Sequence, residues 1–234
     1  MNKILVVTGG TKGIGRAIVD KFSAFGFDTI VSARNQADLQ TMKAELEKKF
    51  NTQVFIFNGD MAVKTDVKAF ADFALSLKRP IDVLVNNAGY FVPGEICTEP
   101  EGQLESMINA NLYSAYHMTR ALSASFKEKK EGHIFNMCSI ASFKAYANGG
   151  SYAVSKFAML GLTKCLREEL KPYGIRVTAI MPGATKTASW EGVDLPDSRF
   201  MKIEDVADAV YASYALSKNS VVEEIVIRPQ LGDI

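Results

Sequence analysis

The chain has 234 residues, 47% of them hydrophobic, and a formal net charge of +1. That length supports one sizeable core and is short for two full-sized domains, so a single domain over residues 1–234 is expected. The near-zero charge removes the field expected of a nucleic-acid or anionic-membrane binder, and no apolar run is long enough for a membrane helix.

The opening segment "MNKILVVTGG" has too short an apolar stretch for a signal peptide and runs into a glycine turn, so it reads as a first strand. Further strand-like runs follow: "DTIVSA", "QVFIFN", "IDVLV", "HIFNMC", "IRVTAI" and "EEIVIRP". Between them lie amphipathic stretches predicted as helices near 13–25, 36–49, 64–78, 101–128, 151–171 and 203–217. Such alternation predicts an α/β fold, a doubly wound parallel sheet of about seven strands with helices on both faces. Crossovers should be right-handed, and a ligand should bind beyond the C-terminal strand ends. Cys97, Cys138 and Cys165 are odd in number and widely spaced. They suit reduced thiols in a cytoplasmic protein, not a disulfide frame or zinc site. His117 and His133 are too few for a rich metal site.

The first strand leads into "TGGTKGIG", Thr8 to Gly15. Glycines here let the chain turn tightly and let a pyrophosphate approach a helix N-terminus. The turn is no Walker A loop, and its spacing departs from G-x-G-x-x-G. Downstream, "NNAG" (Asn86 to Gly89) follows the fourth strand, and "NANL" places Asn111 in a long helix. Ser139 follows the fifth strand, Tyr152 and Lys156 form Y-x-x-x-K, and "PGATKT" (Pro182 to Thr187) follows the sixth. Together, in this order, these elements resemble the short-chain dehydrogenases/reductases over essentially the whole chain, and the resemblance makes the sheet a Rossmann-type one.

Tyr152 and Lys156 lie four residues apart and so share a helical face. A lysine ammonium beside a phenol lowers the tyrosine pKa from about 10, which is the expectation for Tyr152. The resemblance implies that Tyr152 is the general acid/base and that Lys156 holds the nicotinamide ribose. It implies that Ser139 binds the substrate oxygen and that Asn111 supports a water-linked proton path to Lys156. Gly9, Thr11, Lys12, Gly13, Ile14 and Gly15 would form the turn under the cofactor. Asp60 and Met61 would meet the adenine, and Asn86, Ala88 and Gly89 the adenosine ribose. Pro182, Gly183, Thr185 and Thr187 would border the nicotinamide.

No acid lies between Val31 and Gln36, where NAD-specific sites place one, and Arg34 stands there instead. With Lys12 in the glycine turn, this favours NADP(H), with NAD(H) possible, because an arginine can pair with a 2′-phosphate. The segment Ala188 to Phe200 lies where the family keeps a substrate lid. Its Trp190 is read either as covering substrate or as packing on the lid itself. Tyr90, Phe91, Ala141, Phe143 and Tyr146 would add apolar walls. Cys138, with no histidine adjacent in sequence, reads as strand packing and not as a nucleophile.

The function expected from the resemblance is NADP(H)-dependent hydride transfer between nicotinamide and a small carbonyl or alcohol, in a homodimer or homotetramer pairing the helices at 101–128 and 151–171. A 3-oxoacyl-[acyl-carrier-protein] reductase is a narrower alternative, weakened by the missing Asp-Gly-Gly turn near the C-terminus. A sugar-nucleotide epimerase would need a further C-terminal substrate domain. A non-catalytic dinucleotide sensor would be expected to lose Tyr152 or Lys156, and both are present.

Overall fold

The computed structural model describes residues 1–190, 192 and 194–234; Glu191 and Val193 lie outside the described residues. Seven strands form one sheet: β1 (Ile4–Thr8), β2 (Asp28–Ala33), β3 (Val54–Asn58), β4 (Val83–Asn86), β5 (Gly132–Met137), β6 (Ile175–Pro182) and β7 (Glu224–Ile227). Their order is β3-β2-β1-β4-β5-β6-β7, and every pairing is parallel. The chain reverses direction across the sheet between β1 and β4, so a crevice opens beyond their C-terminal ends.

The helices are α1 (Gly13–Ala24), α2 (Gln36–Lys49), α3 (Lys64–Ser76), α4 (Gln103–Ile108), α5 (Ser114–Lys129), α6 (Gly150–Leu170) and α7 (Ile203–Ala215). Successive strand residues point to opposite faces, and β1 shows the consequence. Leu5 and Val7 pack with Phe22 of α1, Leu39 of α2 and Val210 of α7. Ile4 and Val6 pack on the other face with Phe70 of α3 and Leu122 of α5. Both faces are covered, which is why β1, β2 and β5 are buried along their whole length.

The helix predicted over 101–128 differs. It starts at Gln103 and is interrupted by a π-helical turn, Asn109–Tyr113, before α5 continues. Asn111 sits inside that turn. Single π turns of this kind concentrate at functional sites. Among the described residues, no helix is long and apolar enough to cross a membrane, and no group of three or more His, Cys, Asp or Glu side chains is gathered as a metal would need.

Candidate active site

The glycine turn after β1 is fixed from two sides. Gly9 and Gly10 donate to the Ser32 carbonyl of β2 at 2.9 and 3.2 Å. Asn87 donates from its amide to the carbonyls of Thr8 and Gly9 at 3.0 and 2.8 Å. The Thr8 hydroxyl in turn accepts from the backbone of Asn87 and Ala88, both at 3.0 Å. A Cβ on Gly15 would lie 2.3 Å from the Gly9 oxygen and 2.4 Å from the Asn87 amide nitrogen, so this close approach requires glycine. Gly9 adopts φ +68°. Helix α1 then begins with Lys12 as N-cap, whose side chain makes no capping bond, and with no acid in its first turn. Its first N–H groups therefore lack the side-chain acceptor that helix N-termini usually recruit. Such an uncapped N-terminus beside a glycine cradle fits a dinucleotide pyrophosphate.

Around this turn lie the other strand ends. Arg34 follows β2 and is exposed. It borders a cavity of about 450 Å³ with Thr11, Lys12, Asn35, Gln36 and Asp38. Asp60 follows β3, where one carboxylate oxygen accepts from Ala62 N–H at 2.9 Å. The Met61 side chain lies in the core under α3. Asn86 is buried, and its amide donates to Thr119 at 3.0 Å and Asn136 at 2.8 Å. Of the two adjacent asparagines, it is Asn87 that faces the glycine turn, while Asn86 and Met61 can offer the crevice only their backbone. Gly89 lies against Asn111, and Ala88 against Gly9. Pro182, the last residue of β6, and Thr185 beyond it are buried, and Gly183 N–H donates to the Ile227 carbonyl at 2.8 Å. Thr187 reaches across the crevice to within 3.4 Å of where a Gly13 Cβ would sit. Ile14 is half-buried and packs on the core from α1.

The structure brings the catalytic candidates together. Ser139 follows β5 and caps the short helical turn Ile140–Ser142, its hydroxyl accepting from Ala141 N–H at 3.1 Å. Tyr152 and Lys156 enter from the first turns of α6. Lys156 donates to the Met137 carbonyl at 2.7 Å, and its Nζ lies 5.6 Å from the centroid of the Tyr152 ring. Phe91 meets Tyr152 edge-on at 4.8 Å. Asn111 uses both amide hydrogens, on the Tyr90 carbonyl at 3.1 Å and on Ser155 at 2.9 Å, while its oxygen accepts from Tyr90 N–H at 2.9 Å. Both side-chain donors are spent on fastening the β4–α4 loop to α6.

Electrostatics corrects one expectation. Burial pushes the Tyr152 phenol above its ordinary value, the hydrogen-bonding Ser139 hydroxyl pulls it part of the way back, and nearby Cys138 adds to the rise. Spacing alone pointed the other way. Lys156 is itself buried, which lowers it to about 8, and its ammonium is directed at a backbone carbonyl. Tyr146, near Tyr152, is pushed up to about 12 by burial and by that neighbour. Burial raises the Cys138 thiol, in keeping with a packing role. Trp190 packs edge-on against the buried Phe200 at 5.2 Å, so within its own loop it is a packing residue.

A family model for short chain dehydrogenase matches residues 3–196. The chain belongs to that family. Among its relatives, a sepiapterin reductase of Chlorobaculum tepidum is 33% identical and is aligned over 100% of this chain and 99% of its own length. Two solved structures superpose closely. An alcohol dehydrogenase from the archaeon Thermococcus sibiricus, complexed with 5-hydroxy-NADP, gives a TM-score of 0.92 at 27% identity, covering 98% of this chain and 97% of that one. An L-sorbose reductase from Gluconobacter frateurii, complexed with NADPH and L-sorbose, gives 0.90 at 25% identity, covering 97% and 95%.

Three residues that sequence reasoning did not single out belong to the site. Asn87 clamps the glycine turn. Asp38 pairs with Lys12 at 2.9 Å. Glu99 accepts from the backbone and hydroxyl of Ser151, next to Tyr152. The "NNAG" motif held the signal for Asn87; an acid in the first turn of α2 held that for Asp38. Glu99 sits in a loop with no motif of its own.

Proposed function

We propose that this protein is an NADP(H)-dependent oxidoreductase that interconverts a small carbonyl compound and its alcohol, with Tyr152 as general acid/base. The observation that carries this reading is the convergence of Ser139, Tyr152 and Lys156 at the mouth of the crevice. When bound, the nicotinamide would donate or accept the hydride. Gly9, Gly13, Gly15 and the uncapped start of α1 would hold its pyrophosphate, and Arg34 with Lys12 a 2′-phosphate. Lys156 and Thr187 would orient the nicotinamide end.

The chain's own chemistry concerns one proton and one oxygen. A Tyr152 phenol held above its ordinary pKa stays protonated at neutral pH and is ready to donate to a carbonyl oxygen. The Ser139 hydroxyl can hydrogen-bond the same oxygen and stabilise charge developing on it. Lys156, at about 8, is largely cationic at neutral pH and favours the phenolate that remains. Asn111 positions α6 against the loop carrying Phe91, and any water path to Lys156 would have to use its backbone or its remaining lone pair.

Phe91 and Tyr146 beside Tyr152 support a substrate with an apolar or aromatic body. The exposed Val154 and Phe157 on α6 support pairing of α5 and α6 in a homodimer or homotetramer. Free thiols at Cys97, Cys138 and Cys165 support a reducing compartment such as the cytoplasm.

Fluorescence titration with NADPH and NADH tests the cofactor. Turnover of sepiapterin, sorbose, simple diketones and 3-oxoacyl thioesters tests the substrate. Tighter NADPH binding with turnover of one group supports the reading, and selective thioester turnover would favour the 3-oxoacyl reductase. Binding without turnover of any carbonyl would favour a sensor.

A further inference from the structure

The cavity at the end of β2 holds charges of both signs. Of its lining residues, Lys12 and Arg34 are cationic and Asp38 is anionic. Lys12 and Asp38 form an ion pair at 2.9 Å, whereas the Arg34 guanidinium makes no ion pair or hydrogen bond among the described residues. Asp38 is anchored in place. It stands in the first turn of α2, and its backbone N–H is capped by Asn35 at 3.1 Å. Any 2′-phosphate entering this cavity would meet one free cation, one cation already shared, and one fixed negative charge.

We propose that Asp38 is a specificity-determining residue that restrains the preference for NADP(H): it competes with the 2′-phosphate for Lys12 and repels it directly. This rests on the NADP(H) reading above, since Arg34 and Lys12 must face the phosphate. Neither effect acts on NAD(H), whose ribose carries no charge at that position. At surface dielectric constants, two like charges within one small cavity change a binding constant by roughly three- to tenfold, and the effect shrinks as salt shortens the screening length. The two contributions separate through Lys12. Direct repulsion survives its removal; competition for its ammonium does not.

The test is titration of NADPH and NADH into purified wild type, Asp38→Asn, Asp38→Ser, Lys12→Ala and the Lys12→Ala/Asp38→Asn double variant, at low and high salt, with thermal melts to check folding. Both Asp38 variants should bind NADPH about fivefold tighter at low salt with NADH unchanged, and the gain should fall at high salt and in the Lys12→Ala background. Unchanged or weaker NADPH binding in both would overturn the proposal, as would equal gains for the two nucleotides. A wild type that binds NADPH no tighter than NADH would instead defeat the NADP(H) preference, while a fivefold gain on removing Asp38 would leave its role standing. A protein that binds neither nucleotide defeats both.

Discussion

Replacing Lys156 by methionine should stabilise the protein at neutral pH while abolishing its turnover. Burial lowers the lysine from 10.5 to about 8, so at pH 7 the folded state holds a charge it disfavours by about 3 kcal/mol relative to the unfolded chain. Methionine removes that cost and fills a similar volume. It also strands the Met137 carbonyl, now bonded to Lys156 at 2.7 Å, at a cost of about 1–2 kcal/mol. The net gain is about 1–2 kcal/mol at pH 7. The sign reverses with pH. Between about 8 and 10.5 the unfolded lysine binds more protons than the folded one, so wild-type stability rises with pH across that window. By pH 9.5 wild type should have recovered about 2 kcal/mol, and the methionine variant should have lost its advantage. Urea unfolding of both proteins at pH 7 and 9.5 measures this. A variant less stable than wild type at pH 7, by a margin that does not change with pH, would show that Lys156 carries no burial cost.

Tyr152→Phe removes only the phenol oxygen, so NADPH affinity should stay within about twofold, while kcat should fall by about 100-fold or more, the usual contribution of a general acid; near-normal kcat would place the proton donor elsewhere. In Gly15→Ala the new methyl meets the Gly9 oxygen and the Asn87 amide, which should destabilise the fold by about 1–3 kcal/mol and weaken both NADPH and NADH, as denaturation and titration would report. Buried His133, bonded through one ring nitrogen to Thr178 at 2.7 Å, has its pKa pushed well below 6.5 by burial and by Arg176. Folding therefore opposes its protonation, and stability should fall as the pH drops below about 6.5, by up to about 1.4 kcal/mol per pH unit. His117 is also lowered but is half-exposed, so the slope measured between pH 6.5 and 5 should shrink chiefly in a His133→Gln variant.

The sheet was legible because parallel strands covered on both faces draw heavily on β-branched and apolar residues, as "ILVVT" and the Thr-Ile-Val centre of "DTIVSA" do. Helix ends were legible to within a few residues where turns or caps mark them, as Asn35 does for α2. The π turn at Asn109–Tyr113 was not, because it changes which carbonyl an N–H reaches without changing the apolar spacing. Nor could the motif say which of two neighbouring asparagines turns outward. Asn86 ends β4 facing α5 and β5, and only the next residue faces the glycine turn. The Tyr152 pKa direction was misjudged for a related reason. Spacing along one helix reveals Lys156, but not the burial that dominates, and Phe91, which meets the Tyr152 ring, is distant in sequence.

What fixes the Tyr152 phenol is a chain of contacts through three elements. Asn111 binds both backbone groups of Tyr90 and the hydroxyl of Ser155, and that hydroxyl donates to the Tyr152 carbonyl at 2.7 Å. Phe91, the residue after Tyr90, stands against the Tyr152 ring. The π turn, the β4–α4 loop and α6 are therefore joined at one asparagine, and tyrosine backbone and ring are held from opposite ends of the same short path. A side chain locked in this way needs little reorganisation to meet a substrate oxygen. Losing the Asn111 amide would free the loop and the helix together, so this residue bears on the placement of Tyr152 even with both of its side-chain donors already committed to protein partners.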